Sequence, residues 1–132
     1  MKVLLSIKPD FVQEMARGRK RFEYRRRIFK QDVDSVVIYA CRPVGKIVGE
    51  FKVEDIISKS PDDLWEVTEK YAGISKEFFN SYFKGRDEAY AIKIKDFHMY
   101  DKPINPYEIF DNFVAPQSYR YFDKRQEALL DT

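Results

Sequence analysis

The sequence predicts an α+β domain: a small barrel or strongly bent sheet of five to six mostly antiparallel strands, with about three flanking helices. Three observations carry this. Short β-rich runs recur along the chain with tight turns marked by Gly and Pro between them, and strands joined this closely pair antiparallel. Helical spacing of apolar residues occurs in three places, each closed by a glycine. The chain has 132 residues, 44% of them hydrophobic and 16% aromatic, which suits one domain with a real core.

Each element follows from its own pattern. Val3 to Ile7 hardly alternates and reads as a buried strand. Pro9 suits the first position of a helix, whose inner stripe is Phe11, Val12, Met15 and Ala16 and whose cap is Gly18. Gly18 to Arg21 is then a corner with Lys20 at its tip. Phe22 and Tyr24 alternate with Arg21, Glu23 and Arg25, so a strand is expected with aromatics inward and charges outward. Val36 to Ala40 reads as a central strand, and Arg42-Pro43-Val44-Gly45 as a turn. In the next strand Ile47, Gly49, Phe51 and Val53 share one face. Ser60-Pro61-Asp62-Asp63 combines a cap, a first-turn proline and two acids that favour a helix dipole. That helix runs to Gly73, and a third runs from Ser75 to Gly85. Tyr90, Ile92 and Ile94 alternate with lysines in another strand. Asp101 to Pro116 reads as an ordered loop, and Ser118 to Phe122 as a last short strand. The domain is expected over residues 1–122, with 123–132 a C-terminal tail that is disordered or a frayed helix.

Charge is unevenly placed. Arg17 to Lys30 holds eight basic residues and one acid, Glu23; of the chain's 24 basic and 22 acidic residues, 16 and 21 are left elsewhere. This segment therefore carries +7 on a body of about −5, which points to an anionic partner. One cysteine, Cys41, rules out an internal disulfide and suggests a cytoplasmic location. With a single histidine besides, no His/Cys zinc site can form, and no metal or other cofactor is expected. The apolar runs are far shorter than the ~20 residues that span a bilayer, so no membrane partner is expected.

The pattern Gly18-x-Lys20-x-x-Glu23-x-Arg25, between the first helix and the second strand, resembles the signature of the ASCH domain family within the PUA-like superfamily of small β-barrels. The turn and strand from Pro43 to Phe51, the junction Tyr71-Ala72-Gly73-Ile74-Ser75 and the strand Tyr90-Ala91-Ile92-Lys93-Ile94 extend the resemblance over residues 1–122. It implies a cleft that faces RNA or a nucleoside; family members are described as RNA-binding proteins or transcriptional regulators. A subset resembles amidohydrolases that deacetylate N4-acetylcytidine, with a Lys at the corner, a Thr three residues on and a Glu at the start of a later helix. Lys20 and Glu77 stand at the first and third positions, whereas Glu23 replaces the Thr. A carboxylate there favours the lysine's ammonium form, against nucleophilic use.

Two function classes follow. The first is a binding domain for RNA or a nucleotide. Lys20, Arg21, Arg25, Arg26 and Arg27 would contact phosphates, Glu23 would orient a cation or accept from a base amino group, and Tyr119 and Arg120 would add a stacking ring and a further cation. The bland counterpart is a solvated edge strand whose charges prevent aggregation. The second class is a hydrolase, either an amidohydrolase or a ribonuclease, with Lys20, Glu23 and Glu77 catalytic. The residues favour binding over catalysis. A third reading is a module whose basic face docks an acidic protein, of a kind the sequence leaves open. His98 and Cys41 read as structural.

Overall fold

The computed structural model describes residues 1–131, and the apolar run near its start lies deep in the sheet. β1 (Lys2–Ile7) sits between β3 (Ser35–Ala40), to which it runs parallel, and the short antiparallel β6 (Arg120–Tyr121). Both of its faces are covered. Val3, Leu5 and Ile7 join Val36, Ile38 and Ala40 in one apolar cluster, and Leu4 joins Val37 and Tyr39 in another. That double burial explains why neither sequence run alternates. The other pairs are antiparallel: β3 with β4 (Lys46–Lys59), β4 with β5 (Ala89–Ile104), and β5 with β2 (Phe22–Arg25). The six-stranded sheet has the order β2-β5-β4-β3-β1-β6. Four helices pack around it: α1 (Pro9–Ala16), α2 (Pro61–Thr68), α3 (Lys76–Tyr82) and α4 (Lys124–Leu130). The fourth lies beyond the three expected. It is held by a capping box between Asp123 and Gln126, and its Leu130 is buried beside Phe110 and Phe122.

Several expectations about faces and lengths fail for one physical reason. The β4–β5 ladder shifts register around Gly49, around Phe51 and before Asp55. Between the pairs Ile47–Ile104 and Gly49–Met99, four residues of β5 oppose one of β4, so β5 bulges and runs on to Ile104 through what reads as a loop. A second slip, between β4 and β3 at Ile38 and Tyr39, leaves Val48 as an extra residue and rephases β4: Val48, Phe51 and Val53 point to one cluster and Ile47 to the other. The long bulged pair lets the sheet curl. β2 and β1 are separated in the sheet by β5, β4 and β3, yet Arg25 of β2 donates from Nη2 to the Ser6 carbonyl of β1 at 2.8 Å. The result is a half-barrel whose open seam is crossed by side chains instead of a ladder.

At Gly49 the two bulged strands leave no room for a side chain. A Cβ there would lie 2.4 Å from the His98 carbonyl oxygen and 3.1 Å from the Met99 Cα, both backbone atoms that cannot swing away. Gly49→Ala is expected to lower unfolding stability by about 2 kcal/mol. Urea titration of both proteins measures this, and a change below about 0.5 kcal/mol would contradict the close approach.

Candidate functional site

The site begins where α1 ends. Gly18 takes φ +74°, and the next two amides, of Arg19 and Lys20, both donate to the Glu14 carbonyl at 3.0 and 3.1 Å. The Arg21 amide then donates to the Tyr71 carbonyl at 2.9 Å. These bonds fold the corner under itself. Lys20 is therefore not an exposed tip: it is 2% exposed, with its side chain laid across Gly73. An ideal Cβ on Gly73, itself at φ +66°, would sit 2.3 Å from the Lys20 Cβ. Gly73 thus ends a helical segment and also makes room for the lysine. The Lys20 Nζ donates to the Ala72 carbonyl at 3.1 Å, and lies 4.7 Å from the Tyr24 ring centroid and 5.3 Å from that of Phe11.

β2 brings two further charges indoors. The expectation of aromatics inward and charges outward is wrong here, because all four β2 residues are buried. The curl puts protein on both sides of the strand. Phe22 and Tyr24 pack with Leu64, Phe79 and Phe83, and the Tyr24 hydroxyl donates to Thr68 Oγ1 at 2.7 Å. Glu23 binds Arg25 Nη2 through Oε2 at 2.9 Å and lies 3.9 Å from Lys20 Nζ through Oε1. Arg25 also donates from Nη1 to the Ser118 carbonyl at 3.4 Å, while its buried Nε has no partner among the described residues. Ser6 adds a bond from its hydroxyl to the Pro116 carbonyl at 2.8 Å.

Burial decides the ionisation of Lys20. Desolvation outweighs the attraction of Glu23, Arg25 adds repulsion, and the amine is brought down from 10.5 to about 8. The sequence argument that Glu23 would hold the ammonium form is thereby corrected: the carboxylate acts in that direction but loses to the missing water. Burial likewise pushes the Tyr24 phenol up to about 12, and raises the Cys41 thiol above its usual value.

Two concavities meet at this cluster. A hollow of about 120 Å³ has Lys20, Glu23 and Tyr24 in its wall and an aromatic rim of Phe11, Phe78 and Tyr82. Through Arg25 and Tyr82 it adjoins a wider groove of about 550 Å³, lined also by Arg26, Arg27, Arg86, Pro116, Ser118 and Tyr119. Arg26 stacks on Tyr82, with its guanidinium carbon 4.6 Å from the ring centroid. The structure therefore gathers Lys20, Glu23, Arg25, Arg26, Arg27 and Tyr119. It places three others elsewhere. Arg21 is exposed and stacked on Tyr71 at 3.9 Å, outside both concavities. Arg120 lies 4.2 Å over Phe110, beside the opposite apolar cluster. Glu77 is exposed in the first turn of α3 and does not line the hollow, although its neighbour Phe78 does. Sequence reading missed Tyr82, Arg86 and Lys8, which lines the hollow with its Nζ 4.7 Å from the Phe78 ring centroid. Tyr82 reads equally well as core, and a lone Arg after Gly85 gives no signal. Among the described residues no His, Cys, Asp or Glu cluster is placed to hold a metal, and no helix is long and apolar enough to cross a membrane.

Comparison with known proteins agrees with this architecture. The family model for the ASCH domain matches residues 5–100. An ASCH domain-containing ribonuclease of Zymomonas mobilis is 32% identical over 131 residues, covering 96% of this chain and 88% of that protein. The crystal structure of ASCH from Zymomonas mobilis superposes with a TM-score of 0.91 at 30% identity, covering 98% of this chain and 93% of the other. A single-residue variant of the Zymomonas protein gives a TM-score of 0.92 at 29% identity, with 98% and 96% covered.

The lysine supplies a test with a definite sign. Unfolded, it keeps its proton to about pH 10.5; folded, it loses it near pH 8, so the unfolded chain holds more protons between these values and stability rises with pH there. Tyr24, raised to about 12, opposes this only above its ordinary value of 10.0. Relative to Lys20→Met, the unmodified protein is expected to gain about 2 kcal/mol of unfolding free energy from pH 8 to 10. Urea unfolding of both proteins at the two pH values measures it; a constant difference would contradict a lysine buried with a depressed pKa.

Proposed function

Because this chain belongs to the ASCH domain family and carries its PUA-like fold, we propose that it is an RNA-binding domain that seats one unpaired base in the hollow and its phosphates along the arginine groove. The observation that carries the reading is the junction at Arg25 and Tyr82. A small aromatic-rimmed hollow adjoins there a groove with Arg26, Arg27 and Arg86 on its wall. Stacking on Tyr82 and Phe78 would hold a base of any sequence, and exposed guanidinium forks suit phosphate oxygens. Glu23 and Lys20 offer an acceptor and a donor to a base edge. An unpaired base suits this site better than a duplex, because a paired base would have to leave its stack to enter the hollow. The Zymomonas mobilis relative is named a ribonuclease, which supports RNA as the ligand class.

One observation favours a second reading, hydrolysis. A lysine whose amine titrates near 8 at the wall of a hollow is poised for proton transfer or attack in a way that an ordinary surface lysine is not. Glu77 is exposed and does not line the hollow, so Lys20, Glu23 and Tyr24 are the groups to consider. Mass spectrometry after incubation with N4-acetylcytidine and, separately, with a single-stranded oligoribonucleotide tests this. Cytidine would identify an amidohydrolase, shortened fragments a ribonuclease, and intact substrates a binder alone.

Lys20 and Arg25 are buried structural residues, so the groove arginines give the cleaner binding test. In a salt series followed by fluorescence anisotropy, Arg26→Gln, Arg27→Gln and Arg86→Gln together should weaken binding of a single-stranded oligoribonucleotide and flatten the slope of log K against log salt by about 2. An unchanged slope would remove the groove from the interface.

A further inference from the structure

The inward turn of Lys20 divides the basic segment. Arg26 and Arg27 lie beyond one end of β2, while Arg19 and Arg21 lie exposed before its other end. Around Arg19 the chain forms a third concavity, a shallow shelf lined by Lys70, Tyr71, Gly73 and Ser75, with Glu14 at its edge. Tyr71 is the platform of this shelf. The Arg21 guanidinium carbon lies 3.9 Å from its ring centroid and the Lys70 Nζ lies 5.5 Å from it. Arg21 uses Nε for the Gly18 carbonyl at 3.4 Å, which leaves its two terminal nitrogens free to donate outward. Glu14 takes up part of the charge, with Arg17 at 3.5 Å and Arg19 at 3.8 Å. Among the described residues Arg21 and Lys70 have no carboxylate within 4.0 Å.

The shelf adjoins the hollow, with Ile74 in the wall of both, and the groove adjoins the hollow through Arg25 and Tyr82. We propose that the shelf is a second RNA-contact surface, which holds the nucleotides flanking the one seated in the hollow, so that a strand passes through the site instead of ending in it. This rests on the RNA-binding reading above and adds to it the path of the strand. Geometry favours it. From Arg21 to Arg26 is five residues of extended chain, about 16 Å. A single nucleotide does not reach cations on both sides, whereas a few unpaired nucleotides do. The surface chemistry matches as well: a ring already stacked by a guanidinium, with outward donors, contacts a phosphate and a base face together.

The test compares a dinucleotide with an octanucleotide of the same mixed sequence, both fluorescently labelled, in anisotropy titrations at low salt. The full chain is used as wild type, as Arg19→Glu with Lys70→Glu, as Lys70→Met alone, and as the groove variant. The shelf pair should weaken the octanucleotide about tenfold and flatten its salt slope by about 1, with the dinucleotide changed less than about twofold. Lys70→Met should give a smaller loss of the same kind, and its mild chemistry guards against misfolding of the double variant. Octanucleotide binding unaltered in both shelf variants, with the groove variant impaired, overturns the shelf and leaves the RNA-binding reading standing. Equal losses for both lengths overturn it too. Absence of binding by the wild type sinks both.

Discussion

The seam of this half-barrel is closed by an ion pair. β2 and β1 never exchange backbone hydrogen bonds, and the curl that brings them together is held instead by Arg25, which reaches Glu23, the Ser6 carbonyl and the Ser118 carbonyl at once. A buried pair of this kind adds little over a well-packed apolar alternative, but removing one member leaves a charge without water or partner, at a cost of about 3–5 kcal/mol. The fold is therefore committed to its polar seam. Ser6 ties Pro116 to the same place, so a segment that lines the groove is positioned by the residues that close the sheet. Fold and site share atoms here. Loss of function on replacing Arg25 or Glu23 would by itself say nothing about ligand contact, and this is why exposed arginines are the informative positions.

Lys20 shows how the chain accommodates a cation it does not solvate. The amine has a carbonyl oxygen, two aromatic faces and, at a longer 3.9 Å, a carboxylate. Together these do not replace water, as the value of about 8 records. At pH 7 roughly one molecule in ten then carries a neutral amine there. In the proposed complex an acceptor on the edge of the seated base would supply part of the solvation the amine lacks. The lysine is thus least comfortable in the empty site, and its discomfort is a source of binding energy that a solvated lysine lacks. Gly73 is part of the same arrangement, since any side chain at that position would occupy the volume of the Lys20 stem.

Much of this was legible in the sequence. Strand and helix identities follow from periodicity and from the caps at Ser60 and Ser75, both of which accept the expected backbone bonds, from Asp63 and Phe78. The ASCH pattern located the corner, and charge counting found the segment that lines the cleft. What stayed hidden depends on long-range geometry. A period of two cannot tell a strand with one wet face from a strand covered on both, so the burial of Glu23 and Arg25 was invisible. Bulges rephase alternation without a local signature, which concealed the continuation of β5 to Ile104. Arg86, forty residues or more from the basic segment, joins it only because α3 returns the chain to the same place. Asp123 and Gln126 do spell a capping box, a short-range sign of α4 that a polar composition masked.

The single acid in the basic segment carries more information than its eight bases. An exposed run of cations needs no counter-charge, since water and salt screen it. Cations that leave water do need one. Glu23, alone among those bases, stands within reach of the two that are buried, Lys20 and Arg25, while Arg19, Arg21, Arg26 and Arg27 are exposed on the surface. An odd acid in a basic run therefore marks where the run dips into the protein, and the cations on either side of it mark where the run faces outward. By this argument the division into an interior polar seam and two flanking cationic surfaces is written in the order of charges itself. The curl of the sheet is what gives that order its depth: it covers β2 on both sides, so Glu23 and Arg25 meet each other and nearby backbone carbonyls instead of water.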